Sequence, residues 1–138
     1  MIHRAVIAVA LLTACPKADA QPQFEANMHL LAMCRDGSTS STPTGTAICA
    51  REATDAADQR IAVLIREARS PSLALRGADL SASQTNWLRY RDLHCGLFDR
   101  GDGSSGTQTP ADIQLCRLAH SLRREAELKD LIYLMGSR

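Results

Sequence analysis

Four cysteines, at positions 34, 49, 95 and 116, constrain this chain more than any other feature, because they border two segments that cannot belong to a core. Residues 36–46 read DGSTSSTPTGT and residues 99–109 read DRGDGSSGTQT, with no apolar side chain in either. Turn residues at that density mark surface connections. Four cysteines allow three pairings. The two nearest pairs, Cys34 with Cys49 and Cys95 with Cys116, each close one polar segment between periodic stretches, and these are the expected bonds. Closing loops of this length would stabilise the fold by roughly 3 kcal/mol each, by restricting the unfolded chain.

Such bonds require an oxidising compartment, and the start of the chain reads as the means of reaching one. Met1 to Arg4 is a short positive region, residues 5–14 are apolar, and Pro16-Lys-Ala-Asp-Ala20 ends in small residues. This is the layout of a secretory signal peptide cut after Ala20. The apolar run is too short to span a bilayer. Leu12-Thr-Ala-Cys15 also resembles a lipobox, so the alternative is a lipid anchor on Cys15, the one route by which a membrane would become a partner. Residues 21–138 then form a single domain, periplasmic or secreted. Without residues 1–20 the chain carries fourteen basic and fourteen acidic side chains. That neutrality gives no reason to expect nucleic acid as a partner.

Helical periodicity accounts for the rest. Residues 24–35 place Phe24, Met28, Leu31 and Cys34 on one face. Residues 47–69 carry a stripe of Cys49, Ala53, Ala56, Arg60, Leu64 and Ala68, widened by Ile61 and Ile65. Residues 80–95 begin at Ser81 as N-cap with Gln84 three residues on. They present Gln84, Trp87, Leu88, Arg91 and Cys95 together, and Trp87, the only tryptophan, is the expected hub for neighbouring helices. Thr109 as cap, Pro110 at the first position and Asp112 in the first turn start a last helix that runs to about Leu134. There Ile113, Cys116, Arg123, Ala126 and Tyr133 follow one face and several leucines the others. The predicted fold is all-α, a small disulfide-stapled bundle of about four helices.

The run Leu80, Gln84, Trp87, Tyr90, Arg91, Asp92, Cys95 resembles the signature L-x-x-x-Q-x-x-W-x-x-[FY]-R-D-x-x-C of the LprI-type lysozyme-inhibitor N-terminal family, a domain of bacterial envelope proteins. Ala57, Asp58 and Ile61 follow the family's A-D-x-x-L-N-x-x-Y, with Ala62 and Ile65 departing from its Asn and Tyr. Cys116, Ser121, Arg124 and Leu128 follow C-x(4)-[ST]-x-x-R-x-x-x-L. The resemblance covers roughly residues 34–131. It implies an exported binding protein that blocks a lysozyme or related muramidase.

No catalytic constellation is evident, and neither an enzyme, a cofactor nor a metal is expected. His29, His94 and His120 fall into no zinc-ligand spacing. His94 beside Cys95 could be a base beside a thiol, but a disulfide half is the simpler reading. Asp99 and Asp102 have the wrong spacing for a calcium loop, whose last ligand position would be Pro110. Glu125 and Glu127 read as a solvated face. Gln84, Arg91 and Arg124 are expected to form an internal polar network, with Asp58 as mate for Arg91 and Asp92 nearer the exposed side. The candidate partner-binding loop is 99–109, where Arg100 could approach a carboxylate of a sugar-binding cleft, Asp102 stands beside it, and Ser104 and Ser105 offer hydrogen bonds. The alternative is a non-inhibitory envelope domain docking on another protein or on peptidoglycan, favoured by an exposed strip of Leu128, Ile132 and Leu134 on the last helix.

Overall fold

The computed structural model describes residues 20–37, 41–73, 77–99, 106 and 108–137. Residues 1–19 of the expected signal peptide 1–20, and Arg100, Asp102, Ser104 and Ser105 of the candidate loop, lie outside the described residues. Four α-helices follow one another: α1 (Ala20–Asp36), α2 (Pro43–Ala68), α3 (Gly77–Gly96) and α4 (Thr109–Gly136), with a 3-10 turn at Pro71–Leu73 before α3. There is no strand among the described residues. No helix among them is long and apolar enough to cross a membrane.

The helix starts differ from the sequence reading in an instructive way. Helix α2 takes in four residues assigned above to the polar segment: Thr42 is the N-cap, its Oγ1 accepting the Gly45 N–H at 3.1 Å, and Pro43 opens the helix. A proline at the first helical position sacrifices only an N–H that has no partner there. Helix α3 starts at Gly77, not at a Ser81 cap, with Asp79 in its first turn facing the positive end of the helix. Ser81 therefore sits inside the helix, where its hydroxyl accepts from Arg69 and its carbonyl accepts the Thr85 hydroxyl. Helix α4 includes Thr109 and has Gln108, which makes no side-chain cap hydrogen bond, at its N-cap, whereas the expected Pro110 and Asp112 stand in the first turn.

The most extensive contact is between α2 and α4. Asp58 meets Ser121 and Arg60 meets Glu125. Ala50 and Ala57 pack with Leu115, Leu118 and Leu122, and further along both helices Ile61, Ile65 and Ala68 pack with Leu128. Residue numbers rise together on the two helices, so α2 and α4 run parallel. Helix α3 returns antiparallel to α4, because Gln84 meets Arg124 while Cys95 meets Cys116. The alanines of α2 are what let the leucines of α4 approach so closely. Ala50, Ala57 and Ala68 are fully buried, and a missing side chain on one helix becomes the space for Leu118 from the other.

The buried line of α2 is Thr46, Ala50, Thr54, Ala57, Ile61, Ile65 and Ala68, so the stripe read from sequence is rotated: Ala56 and Arg60 are exposed. Threonine disguises this line, since Thr54 is buried with its hydroxyl donating to the Ala50 carbonyl at 2.7 Å. The hub also moves. Trp87 is half-buried at the edge of the second apolar cluster, while Leu118 and Leu128 are the largest fully buried side chains. The strip proposed on the last helix does not exist as a surface, because Leu128 is 1% exposed and Ile132 packs against the core.

Both cystines lie at one end of the bundle. Cys34 bonds Cys49 (S–S 2.02 Å) and Cys95 bonds Cys116 (S–S 2.10 Å). They join the end of α1 to the start of α2, and the end of α3 to the start of α4. At the far end Leu80, Leu128 and Ala68 close the molecule without covalent help.

Candidate functional site

The residues of the tryptophan helix converge on a polar cluster between α2, α3 and α4. Arg91, only 8% exposed, donates from one terminal nitrogen to both oxygens of Asp58 (3.0 and 2.8 Å) and to Ser121 Oγ (2.9 Å). Ser121 in turn donates to Asp58 Oδ1 at 2.8 Å. A guanidinium in this position needs a carboxylate and further acceptors to offset its lost hydration, and it has both. Asp92 lies on the outer side, 3.4 Å from Arg91 Nε and 3.4 Å from Arg117 Nε.

A second branch holds Gln84, whose Oε1 accepts from Arg124 Nε at 3.2 Å, with Ser83 accepting from the same arginine. The ring of Trp87 joins the branches: Arg91 stands 5.1 Å and Arg124 5.8 Å from its centroid, within cation–π range. Asp58, Gln84, Trp87, Arg91, Asp92 and Arg124 are thus brought to one place, where their polar atoms are turned largely on each other.

Glu125 departs from the solvated face assigned to it. It is 2% exposed, bound by Arg60 through two hydrogen bonds (3.0 and 2.9 Å) and by Lys129 at 2.8 Å. Burial pushes its carboxyl up, but the bonds and charges of Arg60 and Lys129 outweigh this and hold it below the usual carboxylate range. The i, i+4 spacing of Glu125 and Lys129 on one helix was the available sequence signal.

Crevices and exposed apolar side chains meet at the cystine end. A crevice of about 470 Å³ opens between the ends of α1 and α3 and the start of α4, lined by Leu31, Arg35, Phe98, Gln108, Asp112 and Leu115, among others. Next to it a second, of about 440 Å³, is bounded by Asp99, Gly106, Pro110, Ile113 and Arg117. Leu93, Leu97 and Phe98, at and beyond the end of α3, are exposed, Leu97 by 76%. The two ends of the candidate loop, Asp99 and Thr109, both line the second crevice.

Beside the Cys95–Cys116 bond, the structure brings together two histidines that sequence spacing did not connect. His94 and His120 stand edge to face with ring centroids 4.9 Å apart. The pKa of His120 is lowered by its partial burial and, after that, by His94, Arg123 and Arg91, against a smaller opposing pull from Glu127. Their separation in sequence, on different helices, hides the pair from any local motif.

This is a four-helix domain with two cystines at one end and a signature network under a tryptophan. Residues 34–128 match the family model described as "Lysozyme inhibitor LprI", and the chain belongs to that family. No curated protein and no solved structure matches the chain.

Proposed function

We propose that this chain is an exported protein that binds and blocks a lysozyme or related muramidase, that it does so without catalysis, and that the cystine end is the face that meets the enzyme. The family match over residues 34–128 carries this reading. A glycosidase cleft is deep and lined with carboxylates, so a plug for it must hold its shape before contact. The loop between α3 and α4 is closed at its base by the Cys95–Cys116 bond, which reduces the ordering that binding would otherwise cost. Leu97 and Phe98 at its edge supply apolar surface, the usual centre of a binding patch. The signature residues serve this face from a distance, since Arg91 and Asp58 fix α3 against α2 and α4. The two cystines are consistent with export to an oxidising compartment.

The test is a lytic assay. Oxidised protein is expected to slow at least one of several lysozyme classes, and a variant with residues 100–106 replaced by a Gly-Ser linker is expected to lose that inhibition while keeping its helical signal. Failure to slow any class removes the inhibitory reading and leaves a docking role in the envelope. Full inhibition by the linker variant moves the binding face elsewhere.

A further inference from the structure

His94, Cys116 and His120 each place one potential ligand atom within 4.8 Å of the others. The first is in the last turn of α3 and the other two are a turn apart on α4, so the meeting depends on α3 lying against α4, which the Cys95–Cys116 bond secures beside them. Tyr90, one turn before His94, packs on both imidazoles, with ring centroids 5.4 and 5.6 Å away. His94 is exposed and His120 half-buried, so an ion has a path to the pair.

The donor set decides which ion. The sulfur of Cys116 is in a disulfide and offers no thiolate, the form that binds metal, so the ligands are the two imidazoles with solvent around them. Calcium and magnesium take oxygen ligands, whereas imidazole suits zinc, copper and nickel. We infer that His94 and His120 together bind one divalent transition-metal ion of the imidazole-preferring class, represented by Zn²⁺.

Bound there, the ion ties the last turn of α3 to α4 at the base of the 99–109 loop. Arg123 and Arg91 carry charge of the wrong sign nearby. Arg91 is already matched by Asp58, and a site of two imidazoles beside a surface arginine is one of modest affinity. Bringing the nitrogens to zinc-ligand distances of about 2.0–2.1 Å requires a rotation of His94, which its exposure permits. Plain ring packing of the two histidines and Tyr90 predicts the same contacts but no ion.

The experiment is a calorimetric titration of ZnCl₂ into the oxidised full chain, made without a histidine tag, with thermal unfolding followed in parallel. One ion per chain is expected, with a rise in the unfolding midpoint. Losing even a partner that only orients a ligand costs about 10–100-fold in affinity, so His94→Gln and His120→Ala are each expected to weaken binding by at least tenfold. His29→Ala, on the exposed face of α1, should bind as the parent does. His94→Gln alters an exposed side chain, so its fold is expected to survive even if His120→Ala is destabilised. Absence of binding, or equal binding by His94→Gln and the parent, overturns the inference. Neither result bears on lysozyme inhibition, which the lytic assay reads separately.

Discussion

At the scale of single residues, the energetics centre on two carboxylates, Asp58, expected from the sequence as the mate of Arg91, and Glu125, which reads there as solvated. Asp58 is the main counter-charge of Arg91, whose side chain is 10% exposed against 34% for Asp58. Breaking a buried pair by removing one partner costs about 3–5 kcal/mol. Asp58 is partly solvated, which screens the interaction, so Asp58→Ala should cost about 2 kcal/mol in denaturant unfolding. Most of that loss reflects a stranded guanidinium, and an Asp58→Ala/Arg91→Met double variant should recover part of it. Glu125 makes a prediction about acid. Its carboxyl titrates below the ordinary value of 4.5 in the folded protein, so the folded state favours the charged form. The stability this brings is present above about pH 4.5 and is lost as pH falls through the lower folded value. An unfolding series from pH 6 to pH 3 should show a decline that is shallower in Glu125→Gln; equal slopes would remove Glu125 from the cause.

At the scale of elements, the number and type of helices were legible, and their edges and buried faces were less so. The cysteines flanking two apolar-free segments marked four helices, and the tryptophan run was informative because its residues really do cluster. Helix starts were misread where capping residues compete: Ser81 with Gln84 resembles a cap, but Asp79 and Gly77 lie ahead of it, and Thr42-Pro43 was hidden among other turn residues. The buried line of α2 was misread because Thr46 and Thr54 are part of it, and a threonine whose hydroxyl bonds to the preceding turn is not distinguishable from a solvated one by composition. His94 and His120 could not be paired at all, since nothing local records which helices touch. An element-level test concerns the Cys34–Cys49 bond, which anchors α1. Its loop of 15 residues corresponds to roughly 3 kcal/mol in the loop-entropy account. The Cys34→Ser/Cys49→Ser variant should lose about that much on unfolding, with amide exchange rising first in α1.

At the scale of the molecule, the parallel pairing of α2 and α4 is the arrangement that sequence reasoning did not reach. It follows from α3 acting as the return stroke between them, and it explains why both polar connections emerge together at the cystine end. It also places the signature network midway, where Arg91 on the returning helix bonds Asp58 and Ser121 on the two parallel ones. A chain built this way can vary the polar residues that join α1 to α2 and α3 to α4 without changing a residue of the leucine–alanine interface that holds the bundle.

Because each cystine joins neighbours in sequence, one linking α1 to α2 and the other α3 to α4, the covalent map divides the chain into two halves joined only by the backbone between α2 and α3. A protease that cut that stretch would leave an α1–α2 fragment and an α3–α4 fragment with no bond in common. They would stay associated in water through packing and through the Asp58–Arg91 and Arg60–Glu125 pairs, and would separate in denaturant without any reductant.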